Sequence, residues 1–324
     1  MLYITTIDYF CMKIDMLMRH EEVNIQTLTE NKGIHVGYSD NDIVIIDSIQ
    51  GFVEIGSAHV SMISIVVCHS GKVQAQMNGK TIVLAKNQIA VIPPNTTVTD
   101  LMITPDFELK AMFITNTILQ SFLREKMNVW NEMMYIQSLH IIDINEEDLL
   151  FFNRFYEILQ LRYLNSEDMP YRKEIIQSLL RGAILALCAA MRQIAPLPVG
   201  HHPIINSSSG YFQRFLDLLH SGNHQHRTVE SYANELCISP KYLTIVCKKH
   251  SGKTAGEWIR EQLLEEIRYY LQQTDLNIKE ICDRLGFSNT SFFGKYVKDH
   301  FGMPPIQFRH AFARMTSFSE ENPD

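Results

Sequence analysis

The sequence predicts an α+β chain in two parts. A β-rich half, a small barrel or sandwich with helices after it, precedes an all-α third built from two helix-turn-helix units in tandem. Three observations carry this reading. Short β-branched runs separated by Gly, Asn and Pro fill residues 42–115. After Asn116 apolar residues recur at three- and four-residue steps. The plan that begins at Thr228 is repeated from Asn277.

A length of 324 residues suits two domains. With 46% apolar and 20% charged residues, each part can bury a core, which excludes wholesale disorder. The first segment, residues 1–41, is an N-terminal extension interrupted by Asp8, Lys13 and Asp15. It has no basic n-region and no small-residue cleavage site, and Met12, Met16 and Met18 leave the natural start open. No uninterrupted apolar run approaches the roughly 18 residues a bilayer span needs, so a cytoplasmic protein with no membrane partner is expected. The six cysteines include no C-x-x-C pair, which fits free thiols in a reducing compartment.

Within residues 42–144 the runs DIVIID, SMISIVVCH, KVQAQM, KTIVLA, QIAVIPP and ELKAMFIT read as strands. Asn78-Gly79 supplies the two positive φ angles of a type I′ hairpin turn. Pro93 and Pro94 end the strand they follow. Residues 145–194 hold two amphipathic helices, one marked by Leu149, Phe152, Tyr156 and Leu159, the other by Ile176, Leu180, Ala183 and Leu187. They cover the β-rich region, and one of them is expected to pair with its copy in a homodimer. Residues 195–209 concentrate Pro, Gly and Ser as a linker.

Residues 210–315 are helical and the basic part of an acidic chain, with 14 Lys and Arg against 11 Asp and Glu; residues 316–324 form an acidic tail. Thr228 caps a helix whose apolar side is Val229, Tyr232, Ala233 and Leu236. A turn at residues 237–239 and Pro240 start the second helix. In the repeat, Asn277 and Glu280 have capping-box spacing, Gly286 permits a left-handed cap, and Ser288 or Asn289 starts the second helix. Pairing Ser239 with Ser288 sets the two units 49 residues apart, with Tyr242 opposite Ser291, Leu243 opposite Phe292 and Lys248 opposite Val297. Tyr242, Leu243, Phe292 and Phe293 are assigned to the small cores. Between the units, Ala255 to Gln273 reads as one helix of roughly 28 Å, close to the ~34 Å that separates successive major-groove faces.

These residues resemble the AraC-type bacterial transcription regulators. The likeness runs through TVESYANEL, ISPKYL, CKKHSG, LNIKEICDRLGFSNTSFF and VKDHFGMPP followed by FR. The upstream half is similar to that family's cupin-like sensor barrel, mainly through SGKVQAQMNGKTIVLAKNQIAVIPPNT. The resemblance implies a sequence-specific regulator that binds double-stranded DNA, controlled by a small-molecule effector in the barrel and able to contact RNA polymerase. It places Lys241, Thr244 and Ile245 of the first recognition helix, and Thr290, Ser291, Gly294 and Lys295 of the second, on the groove-facing side. Lysine can reach guanine O6 and N7, hydroxyls meet several base edges, and an apolar group can touch the thymine methyl. Gly294 serves either that face or close backbone packing. Lys248, Lys249, Lys253 and Lys298, with the helix starts at Thr228 and Asn277, are the phosphate-contact candidates.

Two alternatives stay open: a barrel used only for dimerisation or protein interaction, and a metal-dependent cupin enzyme fused to a DNA-binding tail. A metal cupin needs convergent His and carboxylate ligands. His59 and His69 are isolated, and Glu54 precedes them without an H-x-H pattern, so no catalytic residue, metal or cofactor is expected. Which residues line an effector pocket depends on strand register.

Overall fold

The computed structural model describes residues 20–31, 34–46, 57–161, 169–194, 207–220 and 228–317. Cys11, the alternative starts, Glu54, most of the linker and residues 318–324 lie outside them. The chain divides between Pro198 and Val199 into two compact units.

The first unit holds eleven described strands: β1 (His20–Val23), β2 (Val36–Ser39), β3 (Ile43–Ile46), β4 (Ser57–Val60), β5 (Ile63–Ser70), β6 (Lys72–Met77), β7 (Lys80–Ala85), β8 (Gln88–Ile92), β9 (Thr96–Ile103), β10 (Glu108–Ile114) and β11 (Ile141–Asp143). They form a five-stranded sheet, β1-β4-β9-β6-β7, and a six-stranded sheet, β11-β8-β5-β10-β3-β2. The expected barrel is therefore two sheets that do not close into one cylinder. Their inner faces share a core in which Val44, Ala111 and Phe113 of one sheet meet Ala58, Val60 and Val98 of the other.

The hairpin is as expected, with Asn78 at φ 49° and Gly79 at φ 78°. The N-terminal extension is corrected in part. Residues 20–41 supply β1, the short helix α1 (Ile25–Glu30) and β2, so they belong to the sheets. β1 pairs in parallel with β4, a long-range match that no local pattern announces.

Helices α2 (Asn116–Leu123) and α3 (Met127–Asn131) follow β10, and α4 (Glu146–Leu159) and α5 (Arg172–Ile194) follow β11. All four residues of β3 are buried, because both faces of the six-stranded sheet are covered. One face looks into the sandwich; Ile45, Ile65, Val67 and Met112 on the other approach α4 and α5. Of the described helices α5 alone is long and apolar enough to cross a membrane, but eight of its residues are buried within the fold.

Burial pushes the thiol of Cys68 up to about 11 and those of Cys188 and Cys247 to about 12, so they pack as inert small hydrophobes. Four histidines move the other way. Burial lowers His69, His140, His220 and His250, and Lys110 beside His69 and Lys249 beside His250 add to the effect. Each therefore takes up a proton less readily in the fold than in the unfolded chain, where it charges near pH 6.5. Their contribution is thus complete above about pH 6.5 and is lost as pH falls through the lowered native values. Melting temperatures taken between pH 8 and 5.5 should fall on acidification, starting near pH 6.5. A midpoint that holds or rises would contradict the assignment.

Candidate nucleic-acid interface

The second unit begins with α6 (Ser208–His220), whose Phe212 and Phe215 are fully buried. The first motif is α7 (Val229–Glu235) and α8 (Pro240–Ser251); the second is α10 (Ile278–Arg284) and α11 (Thr290–Phe301). Between them α9 (Ala255–Gln273) runs unbroken for 19 residues, and α12 (Pro305–Ser317) closes the unit.

Local chemistry sets each boundary. The Thr228 hydroxyl accepts from the Ser231 N–H at 3.2 Å, and the Asn277 side chain accepts from the Glu280 N–H at 2.9 Å. Each turn needs one left-handed residue, Cys237 at φ 57° in the first and Gly286 at φ 72° in the second. The second helices start at Ser239, which caps Tyr242, and at Asn289, which caps Phe292.

These caps correct the expected register. The first helices match at an offset of 49, Thr228 with Asn277 and Leu236 with Leu285, but the second turn carries one extra residue, Ser288. The second helices therefore match at 50. Leu243 pairs with Phe293 and Cys247 with Val297, all four fully buried. Lys248 pairs with Lys298, since each backbone carbonyl accepts from the glycine that ends its helix, Gly252 or Gly302. Tyr242 then lies opposite Phe292, and both leave the core: they are 39% and 51% exposed. Sequence reasoning missed these two aromatics on the helix surfaces; the cap spacing was the signal that could have found them.

Of the groove-facing candidates, Lys241, Ile245, Thr290, Ser291 and Lys295 are exposed. Thr244 is half-buried and its hydroxyl donates to the Pro240 carbonyl at 3.1 Å. Gly294 has open space: a Cβ there would meet nothing within 4 Å, so close packing inside the unit does not explain it. Thr228, Lys248, Lys249, Asn277 and Lys298 are exposed as well.

Lys253 is a correction. It is 4% exposed, its ammonium lies 2.6 Å from Glu261 Oε2 and 5.1 Å from the centre of the Trp258 ring. It is an internal tie between the end of α8 and α9, not a surface charge. At the same joint the Trp258 indole N–H donates to the Ser251 hydroxyl at 2.8 Å, which donates to the Cys247 carbonyl at 2.9 Å. The far end of α9 is held by Arg309, which donates to the carbonyls of Leu271 at 3.1 Å and Leu276 at 2.6 Å. One helix is thus fastened to both motifs. Among the described residues no group of three His, Cys, Asp or Glu could hold a metal ion.

Residues 232–311 match the family model described as Helix-turn-helix domain. The Msm operon regulatory protein of Streptococcus mutans serotype c is 30% identical over 132 residues, 40% of this chain and 47% of that protein. The HTH-type transcriptional activator RhaR of an Enterobacter species is 23% identical over 109 residues, 34% of this chain and 39% of that protein. The solved structure of an apo ToxT variant from Vibrio cholerae covers 84% of this chain and 98% of its own, at 10% identity and a TM-score of 0.34. The chain spans about half or less of the length of the curated relatives it matches.

Proposed function

We infer, from a C-terminal region that is an AraC-type helix-turn-helix domain, that this chain is a sequence-specific regulator of transcription acting on double-stranded DNA in the cytoplasm. The observation that carries the inference is the pair of second helices, α8 and α11, each offering exposed polar and basic residues from one continuous connector. Lys241, Thr244 and Ile245 on α8, and Thr290, Ser291, Gly294 and Lys295 on α11, are the base-reading set. Lys248, Lys249 and Lys298, with the helix starts at Thr228 and Asn277, hold the phosphates. A homodimer is supported by the apolar residues that α4 leaves outward, with Leu150, Phe151 and Ile158 each at least 46% exposed. A small-molecule effector taken up by the N-terminal unit, and contact with RNA polymerase, complete the reading.

The test is selection of duplexes from a random pool by the full chain, followed by titrations at several salt concentrations. The three phosphate-holding lysines, each displacing one counterion, give a log–log slope of about −2.7 per protomer. Lys241→Ala and Lys295→Ala should each weaken the selected site by ~1–3 kcal/mol and relax its sequence preference at one position. Failure to enrich any sequence above nonspecific binding would sink the reading.

A further inference from the structure

We propose that the cavity between the outer face of the six-stranded sheet and helices α4 and α5 binds a small apolar carboxylate, with a compact aromatic or branched body, through Lys110 and His69. This rests on the reading that the N-terminal unit takes an effector, and it specifies the place and the ligand class.

Strand alternation builds the site. On β10, Leu109, Ala111 and Phe113 point into the sandwich, so Lys110 and Met112 point the other way, toward the helices. On β5, Val67 stands opposite Lys110, but the register shifts between Glu108 and Leu109, leaving His69 without an opposite residue. His69 and Lys110 therefore line the same cavity. The Lys110 ammonium lies 3.8 Å from the centre of the Tyr156 ring on α4.

The chemistry of the lining selects the ligand. His69 Nε2 is buried and has no hydrogen-bond partner among the described residues, so a ligand acceptor would satisfy an orphaned group. Apart from Lys110, His69 and Asn153, the lining is apolar or aromatic, with Phe152, Leu159 and Ile184 among its walls. A cationic ligand would be repelled by Lys110, and a polyhydroxylated one would bury hydroxyls that find too few partners. A carboxylate pairs with the ammonium, accepts from the imidazole N–H and lays its apolar body on the remaining walls. The volume is about 90 Å³, room for several waters and so for a small organic ligand.

The sandwich interior encloses a second cavity of about 100 Å³ whose walls are all hydrocarbon or aromatic. It has no polar group to orient a ligand, so the effector site lies outside the sandwich. Helix α4 turns Phe152 and Tyr156 to the cavity and Leu150 and Ile158 to the surface, so a seated ligand bears on the face assigned to dimer pairing.

Calorimetric titration of the full chain with phenylacetate, hexanoate and 4-methylpentanoate, each beside its amide, tests the site. At least one acid should bind about 10- to 100-fold more tightly than its amide, the range one charge-assisted hydrogen bond supplies. Lys110→Met, which keeps the stem, should remove that preference, and Ala183→Leu, which fills the cavity, should weaken acid and amide alike with circular dichroism unchanged. No acid binding at millimolar concentration, equal affinity for acid and amide, or a preference that survives Lys110→Met would overturn the proposal. DNA affinity separates this site from the wider reading. Acid binding here with no change in DNA affinity sinks the effector reading alone. A ligand effect on DNA that persists in Lys110→Met sinks this site alone.

Discussion

Glu265→Pro should weaken binding of the selected DNA site about 100-fold or more while the N-terminal unit stays folded. Proline at 265 removes the N–H that bonds to the Glu261 carbonyl, and its ring collides with that carbonyl, at a cost of ~3 kcal/mol or more. Position 265 lies in the interior of α9, fastened at one end through Lys253 and Trp258 and at the other through Arg309. A kink there redirects α11 relative to α8, and the two second helices no longer reach their grooves together. Glu265→Ala loses a 3.5 Å pair with Arg268 but keeps a strong helix former, so it should bind close to the parent. A proline variant with native circular dichroism and full site affinity would show that the motifs read DNA independently.

Arg309→Ala should lower the unfolding free energy of the C-terminal unit by about 2–4 kcal/mol. Two carbonyls, Leu271 and Leu276, accept from one guanidinium, and charge-assisted bonds are worth about 1.5–3 kcal/mol each. Leu271 is in the last turn of α9, where orphan carbonyls need donors. Phe308, beside it in sequence, packs against Phe301 with ring centres 4.8 Å apart and the rings tilted by 51°, so Phe and Arg together close the second motif against the connector. Arg309→Lys cannot span both carbonyls with a planar fork and should recover less than half of the loss. Denaturant titration, with the midpoint moving at constant slope, is the measurement. A change below about 0.5 kcal/mol would assign the Pro-x-x-Phe-Arg pattern some other purpose.

What could be read from the sequence was local chemistry. The Asn78-Gly79 turn, the caps at Thr228 and Asn277 and the bounds of α9 depend on residues a few positions apart. The extra Ser288 was hidden because Phe292 and Phe293 are adjacent and equally apolar, so either satisfied the hydrophobic pattern; only the hydrogen bond from Phe292 N–H to Asn289 selects Phe293 for the core. Lys253 was misplaced because its burial depends on Glu261, eight residues on, and on the Trp258 ring. The two-sheet arrangement and the meeting of Lys110 and His69 in one cavity rest on strand partners far apart in sequence and on a one-residue register shift, which alternation along a single strand cannot reveal.

The unequal turns give the domain a front and a back. At matched positions α8 carries Lys241 and Ile245, whereas α11 carries Ser291 and Lys295, so on the proposed reading the two helices offer different chemistry to the bases. On that reading the stretch that one protomer selects is an arrow, not a palindrome. Flipping that stretch in front of a promoter would leave each proposed base contact intact, yet would turn the protomer bound there to face away from the start of transcription. Occupancy should then be indifferent to the flip, and the regulatory outcome should not.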